Sequence, residues 1–199
     1  NTLLNYTDMQ KSEMKLLFYL LEDKENVNKP LRTISENTGM SLGSVQTKFH
    51  ELAEAGYIVD TSKGKAVRKR RQLIERWARG YADGLKQKYL VCRFRFLAPS
   101  VREQWKDISL PQGTCWGGEP AAYLLTDYIR PERWDIYVPE KADALISTGR
   151  MVPDGNGEIY VYKKFWLSEG VPPMVVYADL LAMNEDRCLE TADRIKELL

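Results

Sequence analysis

Histidine and cysteine are scarce in this sequence of 199 residues: there is one histidine, His50, and there are three cysteines, Cys92, Cys115 and Cys188. A Ser-His-Asp or Cys-His catalytic arrangement needs a histidine beside its nucleophile, and His50 lies in a helix predicted below to present a polar outer face. The cysteines are far apart and include no Cys-x-x-Cys pair, so neither a zinc site nor a disulfide framework is indicated. We therefore expect no metal, no cofactor and a reducing, cytoplasmic environment.

Long apolar runs are missing as well. No stretch approaches the ~20 apolar residues that cross a bilayer, and no signal peptide is visible, so we expect no membrane association. P-loop and Gly-x-Gly-x-x-Gly motifs are absent. The composition, 44% hydrophobic and 29% charged, is that of a globular protein long enough for two modest domains. Because the chain begins with Asn1 rather than Met, we expect a fragment in which residues 1–9 are a linker or the remains of an upstream domain.

The formal net charge of +1 conceals an uneven distribution. Between Lys63 and Arg95 there are twelve basic residues against two acidic ones, whereas from Phe96 onward seventeen acidic residues outnumber eleven basic ones. A basic band neutralises phosphates, and the released counterions make such binding salt-dependent. The same band can be a solvated helix face, but its position beside the segment described next favours the electrostatic interpretation.

The segment before this band has the pattern of a winged helix-turn-helix. An amphipathic helix is predicted over Lys11–Glu22. A second helix, Pro30–Thr38, ends at Gly39, the residue type that most easily enters the left-handed region. Ser41 is placed to cap a third helix, Leu42–Ala55. The residues expected to supply apolar contacts around these helices are Leu31, Ile34, Leu42, Val45, Phe49 and Leu52. The charged stretch Glu25–Lys29 between the first two helices is expected to be a loop.

The outer face of the third helix and the residues after it carry the expected DNA contacts. Gly56 ends the helix, Tyr57–Asp60 is predicted to be a strand, and 62–65 is a turn with two lysines. Small, polar and cationic side chains are the types that read base edges and hold phosphates. The expected DNA-binding residues are Ser41, Ser44, Gln46, Thr47, Lys48, His50, Lys63, Lys65 and Arg68. A merely solvated face, or a winged helix that binds only protein, are the alternatives.

The second half predicts an α+β domain. A connecting helix over Gln72–Lys88 packs through Trp77 and Tyr81, with Lys86 on another side. The predicted strands are Tyr89–Leu97, Thr114–Gly117, Trp134–Val138, Arg150–Val152 and Glu158–Trp166. The predicted helices are Val101–Asp107, Glu119–Tyr128, Glu140–Ser147, Pro173–Met183 and Arg187–Leu199. The stretch Asp154-Gly155-Asn156-Gly157 is a strong hairpin signal, which predicts that the last two strands pair with each other in a mixed or antiparallel sheet.

One arrangement in this domain points weakly to an enzyme. Gly117-Gly118 opens a helix, where backbone N–H groups can approach an anion, and Asp135 lies on the strand that follows. Metal-assisted nucleotidyl transfer needs paired carboxylates, and this strand supplies only one, so Glu119 and Asp179 would have to converge on it in space. Close helix–strand packing is the commoner use of a Gly-Gly pair, and we do not expect an enzyme.

Several motifs are spread through the second half. They are Trp116-Gly117-Gly118-Glu119-Pro120-Ala121-Ala122, Leu124-Leu125-Thr126, Arg130-Pro131, Val152-Pro153-Asp154, Phe165-Trp166, Pro172-Pro173, Val176-Tyr177-Ala178-Asp179-Leu180-Leu181-Ala182 and Glu190-Thr191-Ala192. This set resembles a signature of AbiEi-type transcriptional regulators, the antitoxins of type IV toxin–antitoxin systems linked to abortive phage infection. The resemblance extends from Lys15 to the last helix, and its most specific parts are 116–122 and 177–182.

The resemblance implies a bacterial regulator that binds double-stranded DNA and represses its own operon. It also implies a nucleotidyltransferase-like toxin encoded by that operon. In a type IV arrangement the antitoxin opposes the effect of the toxin on a shared target without necessarily binding the toxin.

We therefore predict an α+β protein with a winged helix-turn-helix DNA-binding domain at 10–71. A distantly nucleotidyltransferase-like α+β domain with a mixed or antiparallel sheet follows at 72–199 and includes the connecting helix, 72–88. A homodimer is one option, since winged regulators often pair on two-fold sites. The alternative functions are a nucleotidyltransferase-like enzyme that uses Glu119, Asp135 and Asp179, and a protein-interaction module without DNA binding.

Overall fold

A computed structural model describes residues 11–199. The chain divides into two compact units, and the division falls between Asp83 and Gly84. The expected linker, 1–9, lies outside the described residues. Within 11–199, no helix is long and apolar enough to cross a membrane.

The first unit combines helices with a small antiparallel sheet. Its elements are α1 (Lys11–Glu22), α2 (Leu31–Thr38), α3 (Leu42–Glu54), β1 (Ile58–Thr61), β2 (Gly64–Val67) and α4 (Arg70–Gly80). The apolar stripe of α1 packs against the other three helices, and Leu16 and Leu17 are fully enclosed. Burying such a leucine contributes about 1.5–3 kcal/mol. Val45, Phe49 and Leu52 of α3 are buried as predicted.

The turn between α2 and α3 has the predicted local geometry. Gly39 adopts a left-handed conformation, with φ of 64°, where a side chain is strained. The hydroxyl of Ser41 accepts a hydrogen bond from the backbone N–H of Ser44 at 3.2 Å and so caps α3. The sequence therefore specifies both the end of one helix and the start of the next.

Replacing Ser41 with alanine should lower the free energy of unfolding by about 1 kcal/mol, because the N–H of Ser44 loses its partner at the start of α3. Urea titration followed by circular dichroism measures this change. Ser62→Ala, in the exposed turn after β1, is a matched control and should change the free energy by no more than about 0.5 kcal/mol. Equal effects of the two substitutions would refute the assignment of Ser41 as a cap.

Helix α4 packs on α1, as expected for the apolar side of the predicted connecting helix. The indole N–H of Trp77 donates to the carbonyl of Met14 at 3.0 Å. The rings of Trp77 and Tyr81 stack with centroids 5.1 Å apart, and both side chains are buried. The prediction that these two aromatic residues pack in a core is confirmed.

Two expectations for this unit were wrong. Leu42, expected to supply an apolar contact, is 48% exposed on the first turn of α3. The expected loop Glu25–Lys29 is largely a 3₁₀ helix, Lys24–Asn28. Its start is stabilised by Asp23, whose carboxylate accepts a hydrogen bond from the N–H of Glu25 at 2.9 Å.

The β1–β2 hairpin is held from the side by one asparagine. The side chain of Asn28 accepts from the N–H of Lys65 at 2.7 Å and donates to the carbonyl of the same residue at 3.0 Å. At the tip, the hydroxyl of Thr61 donates to the carbonyl of Gly64 and accepts from the N–H of Lys63. The backbone of the predicted basic turn is therefore fixed on both sides.

The second unit is a five-stranded mixed sheet with helices on both faces. Its strands are β3 (Leu90–Phe96), β4 (Cys115–Gly117), β5 (Trp134–Val138), β6 (Met151–Pro153) and β7 (Ile159–Lys163). Its helices are α5 (Lys86–Lys88), α6 (Pro99–Glu103), α7 (Gly118–Thr126), α8 (Pro173–Met183), α9 (Asp186–Lys196) and the 3₁₀ helices Trp105–Asp107 and Ala142–Thr148. The strand order is β4-β5-β7-β3-β6. Only β5 and β7 run parallel, so the predicted α+β class with a mixed sheet is confirmed.

The predicted hairpin between the last two strands was wrong. Strands β6 and β7 both pair with β3, one on each side, and not with each other. Residues 154–158 carry the chain across β3 beside Phe94, which pairs with both Pro153 and Ile159. A Cβ atom on Gly157 would lie only 1.9 Å from the carbonyl oxygen of Phe94. The glycine therefore serves this close crossing rather than a tight turn.

The alternation of residues along the strands separates the two faces of the sheet. One face packs on a hydrophobic core of Phe94, Phe96, Trp134, Ile136, Ile159, Val161 and the helical residues Trp105 and Leu145. The other face carries Arg93 and Arg95 on β3, Asp135 on β5, and Tyr160 and Tyr162 on β7. This second face therefore carries two arginines, an aspartate and two tyrosines of the sheet.

Candidate nucleic-acid interface

The residues expected to read base edges lie on the surface of α3. Ser44, Gln46 and Thr47 are exposed. Among the described residues, neither Gln46 nor Thr47 has a side-chain hydrogen-bond partner. The hydroxyl of Ser44 lies 2.8 Å from that of Ser41, so these two serines also serve the start of the helix. Gln46 and Thr47 are therefore the side chains whose hydrogen-bonding groups are available to a ligand.

Two of the predicted cations form ion pairs within the first unit. Lys48 lies 2.8 Å from Glu51, and Lys65 lies 2.6 Å from Asp60. The imidazole of His50 lies 3.3 Å from a carboxylate oxygen of Glu54. The two lysine pairs are at least partly exposed, and such pairs contribute little to stability, so a phosphate can share or replace the carboxylate.

Lys63 and Arg68 are the remaining predicted cations. Both are exposed, and neither side chain has a carboxylate within ion-pair distance in the described part of the chain. Lys63 stands at the hairpin tip and Arg68 follows β2 directly. These two residues give the surface beside α3 its uncompensated positive charge.

A cavity of about 240 Å³ separates α3 from the hairpin. Its floor is apolar and includes Leu31, Phe49 and Ile58, while Gln46 and Lys65 contribute to its rim. The helix face and the hairpin are therefore two ridges with a depression between them.

Part of the basic band is used inside the protein. The guanidinium of Arg70 donates to the carbonyl of Leu21, and burial lowers the pKa of Arg70. Arg76 forms an ion pair with Glu13. Lys86 is only 5% exposed, which contradicts its predicted position away from the packed side of the helix. The number of basic residues between Lys63 and Arg95 therefore overstates the positive charge at the protein surface.

Lys86 directly follows a π-helical turn, Tyr81–Leu85. Such a turn holds more residues than an α-helical turn, so the spacing that predicted the side of the helix occupied by Lys86 does not apply here. The spacing of apolar residues predicts helix faces at 3.6 residues per turn, and no pattern in the sequence predicts a π-helical turn here.

Lys86 joins two of the carboxylates that the enzyme hypothesis needed. Its ammonium lies 2.5 Å from Asp135 and 2.7 Å from Asp179, and both aspartates are fully buried. Burial lowers the pKa of Lys86, but the two adjacent carboxylates outweigh it and raise the pKa above its usual range. Arg133 adds a second cation, 3.1 Å from Asp135. The two negative charges are therefore neutralised by two side-chain cations.

Glu119, the third proposed carboxylate, belongs to a separate network. It accepts hydrogen bonds from Arg187 at 2.6 Å and from the backbone N–H of Glu132 at 2.7 Å. Glu119, Glu185 and Cys188 are close enough to share a metal ion. Arg187 already pairs with both carboxylates, and burial raises the pKa of the Cys188 thiol to about 12, which disfavours the thiolate that a metal needs.

The Gly117-Gly118 pair serves close packing. A Cβ atom on Gly117 would lie 2.5 Å from the ring of Tyr137. Gly118 has φ of 50°, and its N–H donates to Asp179 at 2.9 Å. The anion at this start of α7 is thus the protein's own carboxylate. The glycines and the acids were recognisable in the sequence, but the role of Lys86 was not, because its partner Asp179 is 93 residues away.

Residues 66–199 match the family described as "Transcriptional regulator, AbiEi antitoxin, Type IV TA system". The match covers more than half of the chain, and the chain therefore belongs to this family, as its motifs indicated. Helices α1–α3 precede the matched segment. No curated protein and no solved structure is significantly similar to this chain.

Proposed function

We propose that this protein is a DNA-binding transcriptional regulator in which the first unit acts as a winged helix-turn-helix. The observation that carries the proposal is the exposed polar face of α3, with Gln46 and Thr47 available, beside a rigid hairpin that presents Lys63. An α-helix fits the major groove of B-DNA, where amide and hydroxyl groups distinguish base pairs. The hairpin and Arg68 would hold the adjacent phosphates, which fix the register without reading sequence.

In the cell, the proposed role is that of the antitoxin of a type IV system that represses its own operon. Membership of the family supports the regulatory and antitoxin parts, and the surface of α3 supports the DNA-binding part. The partners would be double-stranded DNA and, through a shared target, a nucleotidyltransferase-like toxin. A homodimer on a two-fold operator would place two copies of α3 one helical turn of DNA apart.

The structure offers the competing functions less support. A metal-dependent nucleotidyltransferase would need cations at Asp135 and Asp179, the position that the ammonium of Lys86 takes, while Glu119 is held elsewhere. A module that binds only protein would be favoured by an occluded or acidic face of α3, and the residues in question, Gln46 and Thr47, are exposed and uncharged.

A salt titration of DNA binding tests the proposed contacts of the hairpin. Replacing Lys63 and Arg68 with alanine should reduce the slope of log affinity against log salt by about 1.8, because each phosphate contact contributes about 0.9. Replacing the ion-paired Lys65 should change the slope less. The measurement is fluorescence anisotropy with a labelled duplex from upstream of the gene.

The matched control for that titration replaces Lys141 and Lys163, two exposed lysines of the second unit, with alanine. It removes the same charge, so it separates a local contact from the loss of net charge. A control slope that falls as far as that of the hairpin variant would exclude a contact specific to Lys63 and Arg68.

A further inference from the structure

Within the second unit, helices cover the charged face of the five-stranded sheet at one end, while Arg95 on β3 is exposed. Helices α7 and α8 pack at the β4–β5 side, where Asp179 of α8 meets Asp135 through Lys86. On the two inner strands β7 and β3, the same face carries Tyr160 and Arg93, which are paired across the strands. Arg95 lies further along β3 and its side chain is 49% exposed.

Two guanidinium groups lie on the ring of Tyr160. The guanidinium carbon of Arg93 is 4.3 Å from the ring centroid, and that of Arg133 is 3.9 Å from it. Each contact is within the range of a favourable cation–π interaction. The three residues therefore form one stacked group, and with Arg95 they are named the arginine–tyrosine face.

The arginines of this face are fixed in place by the protein. Arg93 donates to the carbonyls of Gly157 at 2.7 Å and Asn156 at 3.3 Å. Arg133 donates to Asp135 and to the hydroxyl of Tyr162. A guanidinium that is held before a ligand arrives loses less conformational entropy on binding.

The charge of this face is only partly compensated. Asp135 neutralises Arg133, and Asp154 lies 3.3 Å from Arg95 in an exposed pair. Within residues 11–199, no carboxylate lies within ion-pair distance of Arg93, whose hydrogen-bond partners are carbonyl oxygens. The face thus presents a positive charge in which two guanidinium planes, those of Arg93 and Arg133, are held against an aromatic ring.

We propose that the arginine–tyrosine face binds single-stranded nucleic acid, with Arg93 and Arg95 on phosphates and the Tyr160–guanidinium stack against a base. Single strands are bound by cationic surfaces on which bases stack on aromatic rings or on guanidinium planes. Bases can stack on the arginine and tyrosine side chains of this face. An acidic peptide would pair with the arginines but would make no stacking contact with the Tyr160–guanidinium group. This site is distinct from α3 and does not depend on the function proposed for it.

The test measures binding of the full chain to a fluorescein-labelled single strand of twelve nucleotides, as RNA and as DNA of the same sequence, by anisotropy. Tyr160→Leu should weaken binding by at least about fivefold, because the guanidinium planes on which a base stacks lose the ring that holds them. Tyr160→Phe keeps the ring and should stay within about twofold of the unchanged protein. Arg95→Ala should lower the salt slope by up to about 0.7, the full value for one phosphate of a single strand, because Arg95 must exchange its exposed pair with Asp154 for that phosphate.

Two controls separate this site from folding and from the first unit. Lys141→Ala, at the start of the 3₁₀ helix on the opposite face, removes one charge and should leave the salt slope unchanged. Thermal melting and duplex binding report whether each variant is folded and whether α3 still functions. Tyr160→Leu and Arg95→Ala should keep the duplex affinity of the unchanged protein.

Three results would overturn the proposal. The first is that neither single strand binds below about 10 μM protein at 50 mM salt. The second is that Tyr160→Leu and Tyr160→Phe, both folded, bind the single strand with equal affinity. The third is that polyglutamate competes for the protein as well as an unlabelled single strand of the same charge does. The last result would identify a general acidic-ligand surface. Binding of the RNA or the DNA strand that is weakened by Tyr160→Leu and kept by Tyr160→Phe supports the proposal. Comparison of the RNA and DNA titrations shows which single strand is preferred.

Discussion

Replacing Lys86 with methionine should lower the free energy of unfolding by about 3–5 kcal/mol, the usual cost of removing one partner from a buried ion pair. Methionine has a similar length and no charge, so the main change is electrostatic. Asp135 and Asp179 would lose the ammonium that lies 2.5 and 2.7 Å from them. Urea unfolding at neutral pH measures the loss.

Lys88→Met is the matched control for this prediction, because Lys88 lies on the same short helix but is exposed. It should change the free energy by no more than about 0.5 kcal/mol. Adding Asp179→Asn to Lys86→Met should restore part of the loss, since it removes one uncompensated charge. A loss below about 1 kcal/mol for Lys86→Met would show that the ion pairs of Lys86 with Asp135 and Asp179 do not stabilise the second unit as proposed.

Replacing both Gln46 and Thr47 with glutamate should weaken duplex binding by at least about 30-fold. Each lost base contact costs about 1–3 kcal/mol, and the new carboxylates would face phosphates. Both positions are exposed, so the melting temperature should stay close to that of the unchanged protein. Anisotropy with the upstream duplex measures the affinity.

The control for the glutamate pair replaces Gln87 and Gln112, two exposed glutamines of the second unit, with glutamate. It changes the net charge by the same amount and should weaken binding by less than about threefold. If the two double variants lost affinity equally, net charge alone would account for the effect, and α3 would not be the reading helix.

Local features of the fold were predictable because they depend on neighbouring residues. Gly39 and Ser41 fix the turn before α3 through backbone conformation and one hydrogen bond. The alternation in β3 placed Phe94 and Phe96 in the core and Arg93 and Arg95 on the other face. These arguments need no knowledge of distant contacts.

Features that depend on distant contacts were not predictable. The segment that crosses β3 at Gly157 has the sequence of a hairpin turn, because Asp, Gly and Asn are favoured in hairpin turns and in such crossings alike. The sequence predicted neither the π turn at Tyr81–Leu85 nor the burial of Lys86 directly after it. The burial of Lys86 is tolerated only because Asp135 and Asp179 come together around it.

The positive charge of the sequence is divided among different tasks. Arg70, Arg76 and Lys86 make internal contacts, and Lys48 and Lys65 pair with surface carboxylates. Lys63 and Arg68 of the first unit and Arg93 of the second have no such carboxylate within ion-pair distance. These three residues and Arg95, which pairs with Asp154, carry the proposed contacts with phosphate.

Whether α3 reads duplex DNA is decided by titrating the full chain against the DNA upstream of its own gene at two salt concentrations. We expect a discrete complex below micromolar protein at low salt, weakened at higher salt and weakened at least about 30-fold by the Gln46→Glu, Thr47→Glu pair. Absence of a complex below micromolar protein at low salt, or a complex indifferent to that pair, would contradict it.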